Sequence, residues 1–164
     1  KHHQVIVSTH SPIFFKNCIG KDNIQLLVAN NENGEVQIKQ SEKFGLFPWS
    51  PSWGEINYFA FNHPTIEFHD ELYGYLQEIS KKNKQNEFEI WLGNNGIQKS
   101  KKWTRKINGN PQQEKDVTLP TFIRNKIHHP ENKTMGNQNF TDEELKNSID
   151  LLINLVKNHN GIIE

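Results

Sequence analysis

Apolar and polar positions divide the 164-residue chain into two differently patterned blocks. In the first, Gln4–Ser8 is a short apolar run of the central-sheet kind, with side chains fit for burial on both faces. Ser11 can cap a short helix over Ile13–Cys18, with Pro12 at its first position and Gly20 as its stop. Ile24–Ala29 and Glu35–Gln40 read as two strands. Asn30–Gly34 between them forms a hairpin turn in which Asn33-Gly34 supplies the positive-φ positions. Residues 41–54 change character. Gly45, Pro48, Pro51 and Gly54, interleaved with Trp49 and Trp53, mark a linker over 46–54 that nonetheless packs.

The second block has helical spacing. Glu55–Phe61 is a short apolar stretch. Ile66, Leu72, Tyr73, Leu76 and Ile79 then recur as on one face of a helix over Thr65–Ser80. Residues 83–117 are rich in Asn and Gly and read as connectors. Leu119–His129 is a helix capped by Thr118, with Pro120 in its first turn; Pro130 forces its end near His129. The best-defined element follows Thr141. Thr141 and Glu144 form a capping box, and Phe140 and Leu145 a hydrophobic staple. Leu145, Ile149, Leu152, Leu155 and Val156 line one face, and Gly161 ends the helix. The expected fold class is α+β: a small β-rich segment over 1–45, a linker over 46–54 and a mainly helical domain over 55–164.

Composition narrows the picture. Ten Phe, four Trp and three Tyr can build a core despite a mean hydropathy of −0.80. No apolar run approaches the roughly 20 residues that span a bilayer, so no membrane partner is expected. Cys18 is the single cysteine, which excludes an intrachain disulfide, reads as a buried structural thiol and fits a cytoplasmic setting. Nineteen Lys and Arg against nineteen Asp and Glu exclude binding of nucleic acid by net charge alone. The charge is nonetheless clustered between Lys81 and Lys106. There, Lys101, Lys102 and Arg105 flank Trp103, a combination that can hold phosphates and stack a base; a solvated surface segment reads equally well. The chain opens at Lys1, not Met, directly on an apolar run, and is read as a fragment of a longer protein.

Two motifs carry chemistry. Gln4-Val-Ile-Val-Ser-Thr-His10-Ser-Pro12 resembles the strand and switch-histidine loop late in the ABC-type ATPases of the recombination and chromosome-maintenance kind. The resemblance covers about ten residues. It implies that His10 approaches the γ-phosphate of ATP, with Mg, once the remainder of such an ATPase is present. No G-x-x-x-x-G-K-[ST] motif and no acidic Walker B strand stand in this chain, so it is not expected to hydrolyse ATP alone.

Phe122-Ile-Arg124-Asn125-Lys126-Ile127-His128-His129-Pro130 resembles the signature of the HEPN superfamily, in which Arg, followed by a polar residue, precedes His by a short spacing. Helices on either side extend the resemblance over residues 55–160. It implies a four-helix arrangement, a homodimer whose two Arg–His sets share a cleft, and metal-independent cleavage of RNA, tRNA included. In that reading His129 is the acid–base group, with His128 as substitute or helper. Arg124 holds the phosphate, and Asn125 supports loop or substrate. Spacing alone leaves the choice of histidine open, since His128 is the residue at i+4 from Arg124. Lys126, with Lys101, Lys102, Trp103 and Arg105, is a candidate RNA contact. In this order, the two motifs resemble ATPase-linked toxin and anti-phage effectors. The alternative is a HEPN-like module that dimerises or binds RNA without cutting it; a regulatory domain that binds a separate effector is a third option. No histidine spacing matches a zinc site, and no metal is expected for the nuclease.

Overall fold

The computed structural model describes residues 3–32, 34–41, 44–133 and 139–161. The architecture is α+β, with two compact units, Lys1–His63 and Pro64–Glu164. The division therefore falls after the expected linker, and residues 46–54 belong to the first unit.

The first unit begins with an extended segment that forms no strand. Val5, Ile6 and Val7 are 81%, 88% and 62% exposed, so the strand expected over Gln4–Ser8 is not formed. The physical reason is the lack of a pairing neighbour: backbone N–H and C=O groups leave water only for a ladder that satisfies them. Helix α1 (Pro12–Cys18) follows as expected, with the Ser11 side chain accepting from Phe14 N. Strands β1 (Leu27–Glu32) and β2 (Glu35–Gln40) pair antiparallel from Leu27↔Gln40 to Glu32↔Glu35. The hairpin is thus longer than expected. β1 starts three residues later and takes in Asn30–Glu32, which leaves a two-residue turn. Gly34 of that turn has φ 91°, a conformation glycine adopts without strain; Asn33 lies outside the described residues.

Helix α2 (Trp53–Phe61) opens with a capping box between Ser52 and Glu55. Glu55 is fully buried, and its carboxylate also accepts from Leu46 N at 3.0 Å and Ser50 Oγ at 2.9 Å. These bonds fasten residues 46–52 to the helix, which is why a Pro- and Gly-rich stretch is folded rather than linking. Phe15, Val28 and Ile56 form the small core, with Phe61 edge-on to Phe15.

The second unit is a helical assembly with a small insertion of strands. Helix α3 (Ile66–Ser80), helix α5 (Leu119–His128) and helix α6 (Asp142–Asn160) pack on one another, and helix α4 (Gln85–Asn94) lies against α3. Strands β3 (Lys99–Trp103) and β6 (Lys115–Thr118) pair antiparallel. Between them, β4 (Lys106–Ile107) and β5 (Asn110–Pro111) form a hairpin across Asn108-Gly109. The stretch 83–117 is therefore structured, not a connector. Phe68, Leu72 and Leu76 of α3, Phe88 and Leu92 of α4, Phe122 and Ile123 of α5, and Ile149, Leu152 and Val156 of α6 are all at most 1% exposed. Helix α6 has the capping box expected at Thr141 and Glu144 and ends on Gly161 at φ 66°.

Candidate anion and base site at the end of a helix

Helix α5 is held at both ends. At its start, Glu89 of α4 accepts from Thr118 N at 2.6 Å and from Thr118 Oγ1 at 3.0 Å, and Tyr73 Oη meets Thr121 Oγ1 at 3.2 Å. Burial pushes the Tyr73 phenol up to about 12, while its bond to Thr121 pulls the other way, so it stays a neutral hydroxyl. At the far end, His129 leaves the helix at φ −131°, the departure that Pro130 requires, while its N–H still donates to Asn125 O at 2.9 Å. Asn132 donates from its backbone to His129 O at 3.0 Å and from Nδ2 to Thr104 O at 2.8 Å, which ties the turn to the strand insertion.

This turn separates the two adjacent histidines. His129 lines a cavity of about 220 Å³ together with Arg124, Asn125, Trp103 and Arg105. His128 points elsewhere: its Nε2 lies 3.2 Å from Asp70 Oδ2 on α3. The Trp103 and His129 rings are tilted by 37° with centroids 6.4 Å apart. The rest of the wall comes from Tyr73, Gln77, Asn83 and Gln85. The lining thus carries two guanidiniums, an imidazole and four amide side chains, but no carboxylate. Glu131, exposed, lies 3.5 Å from His129 Nδ1. Such a lining favours an anion.

Asn125 organises the floor. It is 1% exposed, and its Oδ1 accepts from Gln85 Nε2 at 2.6 Å and from Arg124 Nη1 at 3.4 Å. These two donors orient the amide, because the opposite orientation would set its NH2 against them. Asn125 Nδ2 has no hydrogen-bond partner among the described residues.

The other residues singled out in the sequence stand outside the cavity. Lys101 pairs with Glu144 of α6 and lies 5.3 Å over the Phe122 ring; Lys102 pairs with Glu114 at 2.9 Å and Asp116 at 3.8 Å. Both cations are engaged within the fold. Lys126 is half-buried on α5 and does not line the cavity. His10 is exposed just before α1, in the first unit. Cys18 is half-buried rather than buried. Among the described residues, no group of three or more His, Cys, Asp or Glu could hold a metal ion, and no helix is long and apolar enough to cross a membrane.

Sequence reasoning missed Tyr73, Gln77, Asn83 and Gln85. Only the i, i+4 relation of Tyr73 and Gln77 on α3 was visible, and nothing local links it to α5. It also missed a buried polar chain beside the cavity. His69 Nε2 meets Ser148 Oγ at 3.0 Å, and His69 Nδ1 lies 3.8 Å from Asp70 Oδ1, too long for a hydrogen bond. Comparison with protein-family models, curated proteins and solved structures finds no match to this chain.

Proposed function

We propose that the second unit is a metal-independent endoribonuclease module of the HEPN kind, acting as the effector of an ABC-type ATPase in a toxin or anti-phage setting. One observation carries this reading: Arg124, Asn125 and His129 share a cavity with Trp103 and Arg105, which reach it from a separate part of the chain. The imidazole and guanidiniums among them are residue types that cleavage by the RNA's own 2′-hydroxyl can use. The 2′-oxygen bonds to the neighbouring phosphorus, and the P–O5′ bond breaks. The products are a 2′,3′-cyclic phosphate and a free 5′-hydroxyl. The 2′-hydroxyl must lose a proton and the 5′-oxygen gain one. An imidazole with a reference pKa of about 6.5 can do either near neutrality. His129 is assigned this proton transfer, and Arg124 and Arg105 the charge of the five-coordinate phosphate. One imidazole cannot accept and donate in the same step, so a homodimer, in which a second copy brings its own set, suits the chemistry. His128, engaged with Asp70, is left a supporting role.

The test is incubation of the protein with tRNA and a generic single-stranded RNA in EDTA, with the ends of the products analysed. Cyclic phosphate ends are expected, with cleavage reduced by about a hundredfold or more in Arg124→Ala and in His129→Ala while circular dichroism is unchanged. Full activity in both variants would sink the assignment. Tight RNA binding that yields no product, and that survives His129→Ala, would leave a binding module instead.

A further inference from the structure

Besides Asn125, the wall of the cavity holds three amides: Gln77, Asn83 and Gln85. Phosphate can accept from the NH2 groups of these amides but has no N–H to offer their carbonyls, so the anion reading leaves the carbonyl ends unused. Gln85 fixes its chemistry. Its Nε2 is committed to Asn125 Oδ1 at 2.6 Å, and Asn125 is in turn oriented by Arg124 at 3.4 Å. Gln85 therefore cannot exchange its two ends freely. Its Oε1 remains as a fixed acceptor with no hydrogen-bond partner among the described residues. Trp103, 7% exposed, also lines this cavity, which at about 220 Å³ is below the range of sites for drug-sized ligands and suits one ring system. A flat heterocycle that carries an N–H on its edge and a phosphate nearby is a nucleotide of single-stranded RNA; in a duplex that edge is occupied by pairing.

We infer that the cavity takes one unpaired nucleobase, set beside Trp103, with an N–H of its pairing edge donated to Gln85 Oε1. The inference rests on the proposal that the site receives RNA, and it adds that the site reads a base as well as a phosphate. Gln85 then couples two tasks, since the amide that receives the base also holds Asn125 and, through it, Arg124. A correctly seated base would help set the guanidinium that meets its phosphate.

Binding of three probes by calorimetry separates these claims: 3′-AMP, its N6,N6-dimethyl form, which lacks the edge N–H, and ribose 3-phosphate, which lacks the base. The protein is expected to prefer 3′-AMP to the dimethyl form by about tenfold, since a site built to accept an N–H rejects the analogue without one. Ribose 3-phosphate should bind more weakly still. In Gln85→Leu the preference over the dimethyl form should collapse, whereas Gln85→Glu, which keeps an acceptor oxygen, should retain it. Equal binding of all three probes by the wild-type protein, or a preference that survives Gln85→Leu, would overturn the inference. Cleavage assays on the same preparations tell its failure from that of the nuclease reading. RNA cut without discrimination between probes removes the base subsite alone. Discrimination without any cut removes the nuclease alone.

Discussion

The two units use similar apolar side chains to opposite effect. In residues 64–161, Phe68, Leu72, Phe88 and Ile149 are completely buried among four helices. In residues 3–63, Ile56 is equally buried, but Ile6, Ile13, Val36 and Ile38 are each more than 60% exposed. Composition does not explain this contrast; the availability of partners does. The second unit closes its core with elements that all lie within it. The first has one hairpin and two short helices, too few surfaces to cover the apolar residues it carries. An apolar run that suits a central strand stays extended and solvated when no strand pairs with it. A stable scaffold around the candidate site is therefore to be sought in the second unit, where both ends of α5 are anchored.

The largest effect should come from breaking the better core. Phe68→Ala removes a ring that is 0% exposed, and losses of this kind typically cost about 3–5 kcal/mol. Urea denaturation followed by far-ultraviolet circular dichroism should show the main helical transition moving to lower denaturant by that amount. A shift below about 1 kcal/mol would mean that the second unit does not close as described.

Next comes a strong polar anchor of the first unit. Glu55→Ala leaves Leu46 N, Ser50 Oγ and Ser52 N without their shared acceptor, at a cost of about 1–3 kcal/mol for each group that water cannot reach. Proteolysis should then begin within residues 46–52 while residues 64–161 resist. If instead that stretch is cut as readily in the wild-type protein, it is a linker after all.

These anchors show what was legible in the sequence. Helices α3 and α6 could be read to within a residue or two, because a cap, an amphipathic face and a stop all agree locally. The Arg124–His129 motif was legible because it lies within one turn or so of a single helix. Strand β3 was not. Lys99-Ser-Lys-Lys-Trp103 has one buried apolar residue, and what makes it a strand is pairing with β6, sixteen residues on, and packing on α5. Helix α4 was hidden for a similar reason: Phe88 and Leu92 are its fully buried apolar residues, and asparagines crowd its C-terminal end. The amide wall of the cavity combines both problems, since Gln77 and Gln85 join Arg124 and Asn125 in one cavity only through tertiary packing.

A smaller effect should separate the two units by pH. His69 is fully buried against Ser148, with Asp70 and His128 nearby. Burial holds its imidazole below the ordinary value of 6.5, and the His128 charge adds to this, against the opposing pull of Asp70. The unfolded chain therefore binds a proton on this group at a higher pH than the folded one. The stability that neutral His69 contributes is present above about pH 6.5 and falls as pH drops through that value towards the folded pKa. Denaturation midpoints of the second unit between pH 7.5 and 5.5 should decline more steeply in the wild-type protein than in His69→Gln. Equal slopes would mean that His69 is not held neutral by burial.

The smallest effect is the most direct test of the contrast between the units. Ile6 is 88% exposed and belongs to no strand, so Ile6→Ser removes an apolar side chain that the fold does not bury. Its effect on unfolding free energy should lie within about 0.5 kcal/mol, as for ordinary surface positions. The same substitution at Ile56, which is 0% exposed in the first unit's core, should cost several times more. The pair also guards against a trivial outcome. If neither change alters stability, the first unit contributes no cooperative transition of its own. If Ile6→Ser alone proves costly, the segment before His10 is buried in solution, and a pairing neighbour, from a second copy or from another chain, has found the strand that Gln4–Ser8 is patterned to be.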